Sequence, residues 1–198
     1  MKRIAIAGGI GAGKTAATDR LAALNFAIVD ADEVARRVTD VAAPAWQALR
    51  DAFGDAVLDE DKSLDRAFMA EIAFHDPSAL KRLNQITHGH ILNEIVRQLD
   101  ETKGPAVFVA LPLFRAELRE ILKLDEVWSV QSSPEVAVDR LVEYRSFSER
   151  DARARLASQI TNEERSSIVD HVIWNDGTLE ELYEQLDVQL HRLGLSRG

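Results

Sequence analysis

The sequence has no cysteine, so no disulfide can brace it and no thiolate can hold a metal. It has no long apolar run. Stretches such as VFVALPLF, from Val107 to Phe114, fall far short of a membrane span. A basic excess is missing too: 24 lysines and arginines face 33 aspartates and glutamates, for a formal net charge of −9. Bulk nucleic-acid binding usually leaves a basic footprint, so that class is set aside. An anionic small molecule is not, because a locally positive site can sit on an acidic protein. Biased tracts and internal repeats are lacking. What remains is the composition of a soluble globular protein, 46% hydrophobic and 29% charged over 198 residues. That length suits one sizeable domain, or one domain with a lid and a small insertion. Without cysteine or a membrane segment, a cytoplasmic location is the expectation.

The opening MKRIAIAGG has two basic residues followed by apolar ones, as a signal peptide does. Its apolar part ends in glycines and meets Lys14, which is wrong for a cleaved leader. Arg3 to Ala7 reads instead as a strand buried on both faces. A helix is predicted from about Lys14 to Leu24, and a second strand from Phe26 to Val29. This strand–helix–strand unit should cross over right-handed. From about Glu33 to Thr102 the strand signals vanish. Helical spacing takes over, clearest at Leu80, Leu83, Ile86, Ile91, Leu92, Ile95 and Leu99. Ala106 to Leu111 and Glu126 to Val130 read as further strands. Pro134 opens a helix capped by Ser132 or Ser133. His171 to Trp174 is the last strand, and Thr178 to Leu193 a closing amphipathic helix. Short strands alternating with helices imply an α/β fold: a five-stranded parallel sheet flanked by helices, with the ligand at the carboxyl ends of the strands.

Gly8 to Thr15 read GGIGAGKT, which satisfies G-x4-G-K-[ST] in full. Glycines let successive backbone N–H groups converge on an anion. The helix that follows aims its positive end at the same place. Gly9, Gly11, Ala12, Gly13, Lys14, Thr15 and Ala16 are therefore candidate ATP-binding residues. Lys14 can bridge the β- and γ-phosphates, and the Thr15 hydroxyl can ligate Mg²⁺. The same loop serves GTPases, ATPase motors and small kinases. The guanine-reading N-K-x-D is missing, and the best central strand does not end in an acid. Small kinases are what remains.

The second predicted strand runs into Asp30-Ala31-Asp32, then Glu33-Val34-Ala35-Arg36. In phosphoryl transfer such a carboxylate can orient the attacking hydroxyl and accept its proton. The plainer reading is that Asp30 or Asp32 caps a helix starting at Glu33. With these stretches in hand, the chain closely resembles the dephospho-CoA kinase family. GGIGAGKT, VDADEVAR, FGDAVLDEDKSLDR, LNQITHGHI, SQITNEER and DHVIWNDGTLEEL follow in the family's order across nearly the whole chain.

The resemblance implies a P-loop kinase fold and transfer of the γ-phosphate of ATP to the ribose 3′-hydroxyl of dephospho-CoA. It implies Asp32 as the base or orienting carboxylate, with Lys14, Arg140 and Arg145 completing the catalytic set. Asp30, Arg36 and His88 would lie on the substrate side, and Asn175 near the adenine. The implied core covers about residues 1–39, 103–139 and 169–198. A helical CoA-binding insertion would take about 40–102 and a lid about 140–168. The partners implied are ATP, with Mg²⁺, and dephospho-CoA, on a monomer or weak homo-oligomer that binds neither nucleic acid nor membrane. Arg140, Arg145, Arg150, Arg153 and Arg155 fall in the lid, although such a group is also what a solvated helix face laced with Glu149 and Asp151 looks like.

Three positions depart from the family pattern. His88-Gly89 replaces His-Pro, which predicts a looser helix start there. Pro112-Leu113-Phe114-Arg115 replaces P-L-L-F-E. Tyr144 stands where the family's lid has an arginine four residues past Arg140, and Arg145 is one helical step of about 100° away. These departures keep two alternatives open. One is a nucleotide- or CoA-binding relative with little catalysis, and the other is a kinase for another nucleoside-type alcohol.

Overall fold

The computed structural model describes residues 1–195. The chain divides into two compact units, Met1–Asp30 with the chain from Glu101 onward, and Ala31–Asp100.

The first unit is built on β1, Lys2–Gly8, in which every residue from Ile4 to Gly8 is buried. Burial of successive residues means both faces of the strand are covered, as the unbroken apolar run demands. It leads through the glycine loop into α1, Lys14–Ala23, and then into β2, Ala27–Asp30. The second unit begins there and holds α2, Ala31–Val38; α3, Pro44–Phe53; α4, Arg66–His75; and α5, Pro77–Glu101. The chain returns to the sheet with β3, Ala106–Ala110, a short α6, Glu117–Ile121, and β4, Glu126–Gln131. Then come α7, Pro134–Arg145, α8, Glu149–Ala157, α9, Asn162–Ser166, β5, His171–Trp174, and α10, Leu179–Arg192.

All strand pairs are parallel, in the order β2-β3-β1-β4-β5. Leaving β1, the chain steps over the place of β3 to reach β2. It later passes to the other side of β1 to place β4. The strand order therefore reverses beside β1, where open parallel sheets bind ligands. On one face Ile4, Ile6, Phe108, Trp128, Val130 and Ile173 meet Leu21 of α1 and Leu182, Leu186 and Leu190 of α10. Their alternates Ala5, Val107, Val109 and Val127 are buried as well. Thr178 starts α10 with a full capping box, accepting from the Glu181 N–H while the Glu181 carboxylate accepts from the Thr178 N–H.

In the second unit Trp46 and Leu49 of α3 pack with Val57 and Leu64, and Phe68, Met69, Leu83 and Ile86 close around them. The indole N–H of Trp46 donates to the Lys62 carbonyl at 2.8 Å. Asp65 caps α4 by accepting from the Phe68 N–H at 2.8 Å.

Three sequence expectations shift. The helix after β2 starts at Ala31, not Glu33. Asp32 therefore stands in the first turn and is not the cap. Ser133 occupies the start of α7, but its side chain makes no capping bond; its N–H donates to the Asp176 carboxylate at 2.7 Å. The looser helix start at Gly89 does not occur, because α5 runs unbroken through His88 and Gly89. Glycine inside a helix costs about 1 kcal/mol relative to alanine but keeps its N–H, so the ladder continues where proline would interrupt it.

Candidate active site

The phosphate loop takes its shape from glycines. Gly13 occupies the cap of α1 with φ +90, and Gly11 has φ +75, both left-handed. The Ala17 N–H is the first to reach back, to the Gly13 carbonyl at 3.3 Å. The N–H groups of Lys14, Thr15 and Ala16 precede it in the first turn, where a helix has no partners of its own to offer. No acidic residue sits in that turn, so the positive end of the helix is left to a ligand. Lys14 is half-buried, and its ammonium donates to the Leu111 carbonyl just past β3 at 3.2 Å. Thr15 is exposed in the same turn.

Asn175, immediately after β5, is buried and tied to the loop. Its amide N–H₂ donates to the Ala12 carbonyl at 2.9 Å, and its carbonyl accepts from Arg140 at a long 3.5 Å. The other terminal nitrogen of Arg140 is buried without a hydrogen-bond partner among the described residues. The structure thus brings Gly9, Gly11, Ala12, Gly13, Lys14, Thr15, Ala16, Arg140 and Asn175 together. A β-carbon on Gly13 would lie 2.0 Å from the Asn175 amide nitrogen. Gly13→Ala therefore meets both a steric conflict and a left-handed backbone. We expect it to lower stability by about 1–3 kcal/mol and to weaken ATP binding, since strained backbone positions carry costs of that order. Thermal unfolding and an ATP titration of the variant check this.

Helices α7 and α8 pack on each other through Val138, Leu141 and Ala152, and Ile10 of the loop joins that cluster. The Ile10 N–H donates to the Gln159 side-chain carbonyl at 3.0 Å. Between loop and helices lies a cavity of about 580 Å³, lined by Gly9, Ile10, Ala137, Leu156, Gln159 and Arg165 among others. Arg165 is 7% exposed. It donates to the Asn162 side chain at 3.0 Å and to the Ile160 carbonyl at 3.1 Å. Burial alone lowers its pKa.

The other arginines of the segment 140–168 are placed differently. Arg145 is exposed at the end of α7, beside a Tyr144 that is 71% exposed. Arg153 pairs with Glu149 at 2.7 Å, and the Arg155 guanidinium stacks 4.6 Å from the Phe147 ring. These two behave as the solvated-face reading described. Sequence reasoning gave Gln159 and Arg165 no role. The available signal was Thr161-x-x-Glu164, a capping box that fixes where α9 starts and hence which way Arg165 faces.

In the second unit Asp32 and Arg36 are exposed and four residues apart on α2, hence on one face of it. His88 is exposed on α5. A cleft of about 360 Å³ is lined by Arg37, Pro44, His90, Asn93, Glu94 and Arg97, without those three. Hydrogen bonds from Arg97 and then Gln98 hold the Glu94 carboxyl down at about 2.

A β2-β3-β1-β4-β5 parallel sheet whose first strand runs through a G-x4-G-K-T loop into a helix is that of a P-loop nucleotide-binding protein. Solved structures place the chain more closely. A Thermus thermophilus protein superposes with TM-score 0.80 at 27% identity, and dephospho-CoA kinase from Campylobacter jejuni with 0.65 at 26%, each covering 97% of both chains. Shikimate kinase from Acinetobacter baumannii, at 0.55 and 18%, shares the fold. A family model for dephospho-CoA kinase matches residues 2–181. The dephospho-CoA kinase of Corynebacterium jeikeium is 42% identical over 94% of this chain and 97% of its own length. That of Aromatoleum aromaticum is 38% identical over 95% and 91%. The chain belongs to the dephospho-CoA kinase family.

Proposed function

We propose that the protein transfers the γ-phosphate of ATP to the ribose 3′-hydroxyl of dephospho-CoA, giving coenzyme A and ADP. The observation that carries this reading is the family match over residues 2–181 on a chain whose phosphate loop is intact. The loop amides and the N-terminus of α1 bind the phosphates, and Lys14 places a point charge on the β–γ side. Asp32 orients the 3′-hydroxyl and takes its proton as the oxygen–phosphorus bond forms and the bond to the β–γ bridging oxygen breaks. Arg36 and His88 belong to the substrate side, Arg140 and Asn175 to the nucleotide side. The exposed Thr15 hydroxyl would hold Mg²⁺, an ion that takes few protein ligands and would supply positive charge to the bound phosphates. The helical insertion of about residues 40–102 is the CoA-binding part, and residues 140–168 serve as the lid. Among the described residues no helix is long and apolar enough to cross a membrane. We place the protein in the cytoplasm.

A coupled assay for ADP release tests the reading, with dephospho-CoA, adenosine and pantetheine compared as acceptors at saturating Mg-ATP. Turnover is expected with dephospho-CoA and only weakly with the other two. Well-folded protein that phosphorylates none of them, or prefers adenosine, would sink it.

A further inference from the structure

We propose that Arg165 is the arginine that holds the transferred phosphoryl group, filling the role for which the lid offers Tyr144 and the exposed Arg145. The proposal rests on the phosphotransfer reading above and names a further residue of that site.

Arg165 is more than nine-tenths buried and has no carboxylate partner among the described residues. A guanidinium stays protonated in proteins, so this is a buried charge without a counter-charge. Such charges are costly and normally paired. The pairing group is therefore expected from a ligand. The guanidinium also faces the right surface. A β-carbon on Gly9 would lie 3.4 and 3.5 Å from its two terminal nitrogens, so it rests directly on the loop backbone. Gly9 and Arg165 line the same cavity of about 580 Å³. One N–H on each terminal nitrogen goes to Asn162 and Ile160. Each nitrogen carries a second, and together these form a planar fork suited to two phosphate oxygens.

The fork is held from behind. The Thr161–Glu164 box fixes α9, Asn162 donates to the Ser132 carbonyl at 2.8 Å, and Gln131 at the end of β4 donates to the Ser166 hydroxyl at 3.2 Å. Two other cations in this segment are engaged elsewhere, Arg153 with Glu149 and Arg155 over the Phe147 ring. Arg165 forms no covalent bond in the reaction. It donates hydrogen bonds to non-bridging oxygens of the γ-phosphate while the proton goes to Asp32 and ADP leaves.

The test uses the full chain with Arg165→Met and Arg165→Lys. For Arg165→Met, kcat is expected to fall about a hundredfold or more, as when one preorganised donor to the reacting group is lost. Affinity for inorganic tripolyphosphate, read by calorimetry, should fall about tenfold, the size of one charge-assisted contact. KM for dephospho-CoA should stay near the wild-type value, which a general packing defect would not spare. If both kcat and tripolyphosphate affinity stay within about twofold of wild type, the assignment is wrong. Should Arg165→Met not fold, Arg165→Lys decides: it keeps the charge without the fork, so about a tenfold loss of kcat is expected and full activity overturns the proposal. Wild-type protein inert toward dephospho-CoA would overturn the phosphotransfer reading instead, and the tripolyphosphate titration would then judge Arg165 by itself.

Discussion

Replacing Lys14 by alanine is expected to lower kcat by a factor on the order of 10²–10³ while leaving the fold intact. The size follows from what one preorganised charge beside a reacting group is worth. The stability cost is far smaller. Lys14 is half-buried and gives the Leu111 carbonyl one hydrogen bond at 3.2 Å, worth about 1 kcal/mol net. The two effects therefore separate cleanly. Steady-state turnover and thermal unfolding on the same preparation read both. A variant with a near-native melting temperature and near-native kcat would remove Lys14 from the mechanism.

The second large effect is at Asp32. Asp32→Asn keeps the shape and removes the proposed proton acceptor, so kcat should fall by about 10²–10⁴, the range for a lost general base. The competing explanation makes a very different prediction. Asp32 stands in the first turn of α2, where an acid complements the helix dipole. That role is worth about 0.3–1 kcal/mol, which in a chain of this length moves the melting temperature by only a few degrees. A few degrees of Tm with kcat within a few-fold of wild type would make Asp32 a helix-end charge and nothing more. A kcat collapse at nearly unchanged Tm assigns it to the chemistry.

The parts legible in the sequence were those fixed by neighbours along the chain. The phosphate loop could be read because left-handed positions at Gly11 and Gly13 demand glycine locally. The strands could be read because five short apolar runs sit between turn signals. Their order could not, since it depends on pairings such as Ile4 with Phe108 and Ile4 with Glu126, which leave no mark on periodicity. The start of α2 was misplaced by two residues because Asp30 and Asp32 both look like caps. Arg165 was hidden for the same reason as the strand order. The Thr161-x-x-Glu164 box marks where α9 starts, but burial of Arg165 depends on a cavity that joins residue 9 to residue 165. Asn175 was legible only through family resemblance, and that resemblance pointed to adenine. The hydrogen bond to the Ala12 carbonyl came from the fold.

That bond has a consequence for how the protein is made. Ala12 and Asn175 stand 163 residues apart, so the N-terminal loop leaves the ribosome long before the side chain that braces it. Until β5 docks beside β4, the emerging chain carries a glycine loop without this brace. Acquisition of ATP binding during synthesis should thus come late and abruptly, marking the moment the last strand joins the sheet.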